Sequence, residues 1–249
     1  MAADTITIPT SNLWSPAGDF TIEAWINIDG LGDQNKTICA RVSGDPNYMY
    51  FAIEGEKLIF RDVYPFPPSG LVVFAVSPYT GFTYSSFNHV AVTRTSDIYR
   101  FYVNGVAQVI AHPADPIDNT KSTALVLPLL ARTVPLYIGS FHEDTDTYRL
   151  FGFLDEFRWS SISRYSANFT PSGPFSDDAD TSLLLNFNGA NGATSTVDSS
   201  SHAHPITFYN SAELATGKKK YGSASLKLNV TSPDTPSTAR NDRMFLTYS

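Results

Sequence analysis

The sequence predicts an all-β fold, an antiparallel sandwich or barrel, on three observations. Apolar and polar residues alternate with a period of two along much of the chain. Turn residues punctuate the alternating runs, and no segment carries the spacing of an amphipathic helix of useful length. At 249 residues the chain can bury a sizeable core, as one large sandwich or one sandwich plus an appendage.

The clearest strand runs from Phe20 to Ile28. Phe20, Ile22, Ala24, Ile26 and Ile28 share one face, and Thr21, Glu23, Trp25 and Asn27 share the other. Further strands are predicted at Tyr48–Ile53, Lys57–Val63, Leu71–Val76, His89–Arg94 and Tyr99–Asn104. Others follow at Leu136–Gly139, Phe151–Trp159, Ser182–Phe187 and Ser223–Leu228. Val103-Asn104-Gly105 predicts a tight hairpin, because its two-residue turn needs positive φ at both positions. Pro65, Pro67, Pro68 and Gly70 interrupt the edge of another strand.

Aromatics make up 13% of the residues and charged side chains 16%, which is the balance of a packed protein and not of a disordered one. A formal charge of -7 argues against nucleic-acid binding, which needs a clustered basic face. The basic run Lys218-Lys219-Lys220 reads as a solvated turn. Cys39 is the single cysteine, so no intrachain disulfide can form, and that usage suits assembly in a reducing cytosol. The N-terminal residues alternate and lack a signal-peptide layout, and no apolar run approaches the roughly 20 residues of a membrane span. Glycosylation sequons at Asn35, Asn168 and Asn229 are about as many as chance provides.

Five of these segments also occur in a recognisable order. FTIEAWINI, FNHVAVTR, YRFYVNGV, LYIGS and GFLDEFRWSSISRYSANFTP together resemble laminin-G-like domains of the concanavalin A-like superfamily, in the version found in tailed-phage structural proteins. Phe87 stands where that family usually has Trp. The resemblance covers about residues 5 to 175 and implies a two-sheet antiparallel jelly-roll sandwich.

Residues 181 to 248 resemble the opening portion of the same family, through Ser182-Leu-Leu-Leu-Asn-Phe-Asn-Gly, the Val197-Asp-Ser-Ser turn and Lys220-Tyr-Gly-Ser-Ala-Ser-Leu-Lys-Leu. Asp242-Arg-Met-Phe-Leu-Thr-Tyr-Ser resembles Ala3-Asp-Thr-Ile-Thr-Ile-Pro-Thr-Ser. The strand order therefore reads as permuted, with residues 1–175 forming a sandwich and 176–249 supplying strands that complete it or a neighbour's. A sandwich lacking those strands would expose unpaired edges. Self-closure, strand donation and the start of a second, truncated domain are all compatible with this pattern.

Superfamily members include glycoside hydrolases, whose two carboxylates must converge on one bond. Asp155 and Glu156 are adjacent, so a regular pleat sends them to opposite faces, and Glu156 reads as an ion-pair partner of Arg158. No Gly-x-Ser-x-Gly elbow is present, and the expectation is a non-enzymatic protein. His89 reads as a core or hydrogen-bonded residue, and His202 and His204 as turn residues. Relatives of this fold often hold calcium in acidic loops; Glu143, Asp144 and Asp146 are the candidate ligands, with Asp115 and Asp118, or Asp177, Asp178 and Asp180, as rival clusters. Tyr64, Phe66, Tyr79, Phe82 and Tyr84 are the candidate platform for stacking a sugar ring, or else packing or interface residues.

The resemblance implies a non-enzymatic virion structural protein, a capsid decoration or a tail or fibre subunit, assembled in the host cytoplasm and then extracellular. Its partners would be other virion proteins or copies of itself. The alternative is a carbohydrate-binding adhesin recognising cell-surface glycans. Neither reading calls for nucleic acid or membrane.

Overall fold

The computed structural model describes residues 3–14, 18–29, 35–44, 47–63, 72–76, 79–96, 98–108, 110–111, 132–142 and 148–229. Period-two alternation becomes strand, and strands make up a little under half of these residues. In chain order the strands are β1 (Thr5–Ile8), β2 (Phe20–Asn27), β3 (Lys36–Val42), β4 (Tyr48–Glu54), β5 (Lys57–Val63), β6 (Val72–Val76), β7 (Asn88–Thr95) and β8 (Ile98–Val103). They continue as β9 (Val106–Ala107), β10 (Ile110–Ala111), β11 (Leu136–Ile138), β12 (Gly152–Ser160), β13 (Thr181–Leu185), β14 (Thr207–Tyr209), β15 (Glu213–Ala215) and β16 (Ser225–Leu228). A 3-10 turn at Asn12–Trp14 is the helical element among the described residues.

Two antiparallel sheets face each other as a jelly-roll sandwich. One is ordered β10-β6-β5-β4-β3-β11-β1-β14 and the other β15-β16-β12-β2-β7-β8-β9. Strand β13 lies beside β16 along the same edge of β12, pairing Phe157–Ser160 while β16 pairs Gly152–Leu154. Phe20, Ile22, Ala24, Ile26 and Ile28 all enter the core, as the alternation predicts. They meet Phe51, Ile53, Leu58 and Phe60 of the opposite sheet, with Phe20 and Phe60 at 5.5 Å between ring centroids. Asn104 and Gly105 take φ of 49° and 77° in the β8–β9 turn, as that two-residue hairpin demands. Gly105 is also held by contact, since a Cβ there would lie 1.9 Å from the Phe169 carbonyl oxygen.

Residues from the far end of the chain occupy both sheets. Leu183, Leu185, Leu214, Leu226 and Leu228 are fully buried in the common core. Strand β14 pairs with β1, and the two ends of the described chain are tied together beside it. The Asp4 amide donates to Asn229 Oδ1 at 2.9 Å, the Asn229 amide donates to Asp4 Oδ2 at 2.7 Å, and the Ser211 amide donates to Asp4 Oδ1 at 2.8 Å.

The outer face of β2 is covered as well. Glu23 on that face accepts from Arg158 Nε and Nη2 at 2.8 and 2.6 Å on one oxygen. Its other oxygen accepts from the Tyr165 hydroxyl at 2.8 Å and meets His89 Nε2 at 2.9 Å. Tyr165 and Phe169 stack at 3.6 Å and, with Phe175, close over the His89 ring. His89 is thus the buried, hydrogen-bonded residue that its strand position suggests.

Strand β12 departs from the regular pleat. Between Asp155 and Arg158 it gains an extra residue opposite β2, and Glu156 adopts a φ of 52°. This β-bulge corrects the expected placement of the two acids. Both lie on the outer side of the sheet: Asp155 pairs across from Trp25, and Glu156 Oε2 accepts from the Phe175 amide and from Asn186 Nδ2, each at 2.8 Å. The Arg158 guanidinium donates to Glu23 and acts on Glu156 through its charge, so the expected Glu156–Arg158 partnership is electrostatic and not a direct ion pair.

Candidate functional site

The loop entering β7 gathers three aromatic residues at one rim of the sandwich. Tyr79 and Phe82 have ring centroids 5.2 Å apart, Phe82 and Tyr84 5.5 Å, and the Tyr79 and Tyr84 hydroxyls lie 3.1 Å apart. Tyr79 and Phe82 pack onto the core, while Tyr84 is 36% exposed. The structure therefore brings Tyr79, Phe82 and Tyr84 together; Tyr64 and Phe66 lie outside the described residues.

Polar side chains on neighbouring strands fix this loop. Asn88 Nδ2 donates to the Thr83 and Ser86 carbonyls at 2.7 and 2.9 Å, and Asn88 Oδ1 accepts from the Thr83 amide at 2.9 Å. Asn104 Nδ2 donates to the Gly81 carbonyl at 2.7 Å, and Gln108 Oε1 accepts from the Thr80 amide at 2.8 Å. Satisfying the loop's own peptide groups in this way leaves the aromatic faces preorganised. Asn88, Asn104 and Gln108 are positioning residues that the sequence reading missed. The Asn-His-Val motif marked the first without revealing its task.

Beyond the aromatics the same loop forms one wall of a groove of about 740 Å³, lined by Asn27, Ser85–Phe87 and Gly217–Gly222. The opposite wall carries the three consecutive lysines. Lys220 Nζ lies 4.1 Å from the Trp25 ring centroid, Lys218 Nζ lies 5.4 Å from that of Phe153, and Lys219 Nζ donates to the Thr216 carbonyl at 2.9 Å. The run is the solvent-facing turn that its composition suggests, with Lys219 and Lys220 exposed, but Lys218 and Lys220 also lie over aromatic rings and the run lines a concavity.

Asp155 anchors this wall from below. Its Oδ2 accepts from the Lys220 and Tyr221 amides at 2.7 and 3.0 Å, and its Oδ1 from the Glu156 amide at 3.0 Å. Burial pushes the Asp155 carboxyl up to about 7 despite these amides, and burial also raises Glu156. Between an unfolded value of about 4 and about 7, the native state keeps a proton that the unfolded chain has released. Stability is therefore expected to fall as pH rises through that window, by up to about 1.4 kcal/mol per pH unit for this group. Asp155→Asn should flatten the decline to the remainder contributed by Glu156, measured as urea midpoints across the window. An unchanged slope would assign the titration elsewhere.

Other candidate residues have structural partners. Asp178 accepts from Nη1 and Nη2 of Arg164 at 2.9 and 2.8 Å, and the Ser201 amide donates to Asp177 at 3.1 Å. His204 Nδ1 meets Asp198 Oδ2 at 2.8 Å, and its ring centroid lies 5.6 Å from that of His202. Among the described residues no group of three or more His, Cys, Asp or Glu side chains is placed to hold a metal ion. Glu143, Asp144, Asp146, Asp115 and Asp118 lie outside the described residues.

Two facing sheets with an aromatic, grooved rim define a lectin-type sandwich. The model for the concanavalin A-like lectin/glucanases superfamily matches residues 1–168, and the chain belongs to that superfamily. No curated protein matches the chain significantly. Among solved structures, a Bacteroides ovatus protein described as carbohydrate-binding is 19% identical, with a TM-score of 0.50 over 84% of this chain and 58% of that one. Laminin-G domains of the mouse laminin alpha1 chain are 12% identical, with a TM-score of 0.41 over 70% of this chain and 50% of theirs. Tailspike protein 2 of bacteriophage CBA120 is 11% identical, with a TM-score of 0.40 over 64% of this chain and 27% of that one. This chain thus spans less than two thirds of the length of each, and the likeness is one of fold.

Proposed function

We propose that this chain is a non-enzymatic carbohydrate-binding sandwich carried on a tailed-phage virion, as a capsid decoration or a tail or fibre subunit. The observation that carries the binding reading is the rim itself. Tyr79, Phe82 and Tyr84 form one aromatic cluster on a loop pinned by Asn88, Asn104 and Gln108, beside a groove with polar walls. An exposed ring flanked by fixed donors and acceptors suits a sugar, whose C–H face loses water against the ring while its hydroxyls are taken up at the edges. The acids of β12 support a non-enzymatic role, because Asp155 and Glu156 are both fully buried and engaged with backbone amides. The virion location rests on the ordered motifs shared with phage structural proteins. We further infer that residues 176–229 belong to this chain's own sandwich, with partners met through its outer surfaces; residues 242–249 lie outside the described residues.

A glycan array followed by calorimetry on the retained sugars tests the binding reading. Tyr84→Ala should weaken binding by roughly threefold to tenfold, the worth of one aromatic stacking contact, with the fold unchanged. Retention of no glycan by the folded chain would sink it.

A further inference from the structure

We propose that the groove between Ser85–Phe87 and Gly217–Gly222 takes an anionic saccharide, a sugar bearing a carboxylate or sulfate; this rests on the carbohydrate-binding reading and names the class of ligand. Three features of the groove point to that chemistry. Its lining includes Lys218, Lys219 and Lys220 and no acidic residue, in a chain whose formal charge is -7. None of the three lysines is ion-paired with a carboxylate among the described residues; the ammonium groups of Lys218 and Lys220 rest on aromatic faces and that of Lys219 on a backbone carbonyl. Positive charge parked in this way is available to an incoming anion, which the acidic remainder of the chain would otherwise repel.

The second feature is an unmet acceptor. Asn27 lines the groove, is only 5% exposed, and its Oδ1 has no hydrogen-bond partner among the described residues. A buried amide oxygen left unpaired is destabilising, and a ligand hydroxyl donating to it would relieve that penalty. Sulfate or chloride carries no such donor, whereas a sugar acid carries both the anionic group and the hydroxyls. The third feature is rigidity: the lysine wall is held by the two amides donated to Asp155, and the opposite wall by the Ser85 amide donating to the Ile28 carbonyl at 2.8 Å. Phe87 adds an apolar surface to the second wall.

Calorimetry on the full chain with oligomannuronate, dextran sulfate and neutral dextran tests this. The expected result is binding of one or both anionic probes in preference to dextran, weakening as salt is raised. Binding of one alone identifies its anion as the ligand group. Replacing Lys218, Lys219 and Lys220 together by Gln should cost about tenfold or more in affinity, three charges each worth a few-fold. Asn27→Asp should weaken the anionic probes further by repulsion, while Lys57→Gln, on the opposite sheet, should change nothing. Circular dichroism confirms that each variant is folded. Equal binding of dextran, with the lysine variant unaffected, would overturn the groove proposal and leave carbohydrate binding standing. A loss in Lys57→Gln as large as one lysine's share of the triple variant's loss would reduce the effect to general charge and overturn it too. Binding of none of the probes removes the anionic ligand, and the glycan array then decides separately whether the rim binds sugars at all.

Discussion

Ending the chain after residue 180 is expected to abolish cooperative folding. The cut removes β13 and β16 from the edge of β12 and β14 from the edge of β1. It also removes Leu183, Leu185, Phe187, Leu214, Leu226 and Leu228, each at most 1% exposed in the common core. Each such side chain contributes about 1.5–3 kcal/mol when buried, so together they are comparable to the whole of the roughly 5–15 kcal/mol by which a domain is stable. The Asp4 carboxylate would lose the Ser211 and Asn229 amides as well. The measurement is the solution mass of the full and shortened chains, with near-ultraviolet circular dichroism to report packing. A monomeric full chain and an aggregated, unpacked truncation would mean that these strands close the sandwich of their own chain. A full chain forming a defined oligomer that the truncation loses would mean instead that they build an interface between copies. A shortened chain that stays monomeric and cooperatively folded would contradict both.

Much of this fold was legible because a half-buried strand writes its orientation into every second residue. The five core residues of β2 were separable from Thr21, Glu23, Trp25 and Asn27 by alternation alone. The failures occur where that period breaks. Strand β3 went unread because its ladder shifts between Thr37 and Cys39, so that the consecutive residues Ile38 and Cys39 both enter the core. The bulge in β12 misled in the same way: one inserted residue turned Asp155 and Glu156 onto the same side, and nothing in the string Leu-Asp-Glu-Phe announces a residue at positive φ. Short strands such as β14 and β15, three residues each, hold too few positions for a period to show.

The site was less legible than the fold, for a reason of distance along the chain. Local clustering was enough to single out Tyr79, Phe82 and Tyr84. The groove, by contrast, joins residue 27, residues 85–87 and residues 217–222, which meet only once both sheets are assembled. A lysine run is ordinarily a solvated turn; what alters its meaning here is Trp25 and Phe153 lying beneath it, and those rings belong to β2 and β12.

Glu23→Gln is expected to destabilise the fold by about 3–5 kcal/mol, the cost of breaking a fully buried ionic group by removing one partner. Glu23 is wholly buried and its two oxygens satisfy Arg158 twice, Tyr165 and His89. Burial alone would raise this carboxyl, but the bonds and charges of His89 and Arg158, with the Tyr165 hydroxyl, outweigh it and hold the group below its ordinary value. The native state therefore prefers the carboxylate more strongly than the unfolded chain does. Stability from this group is present above about pH 4.5 and is lost as pH falls through the lowered native value. Urea unfolding of the wild type and of Glu23→Gln should accordingly differ most near neutrality and converge in acid. Replacing both charged partners, Glu23→Leu with Arg158→Leu, should recover part of the loss, because no unpaired charge is then buried, though the Tyr165 hydroxyl and His89 Nε2 still lack their acceptor. A Glu23→Gln unfolding free energy within about 1 kcal/mol of wild type would show that the apolar packing of Tyr165, Phe169 and Phe175 holds the outer cover of the sheet without help from the charge beneath it.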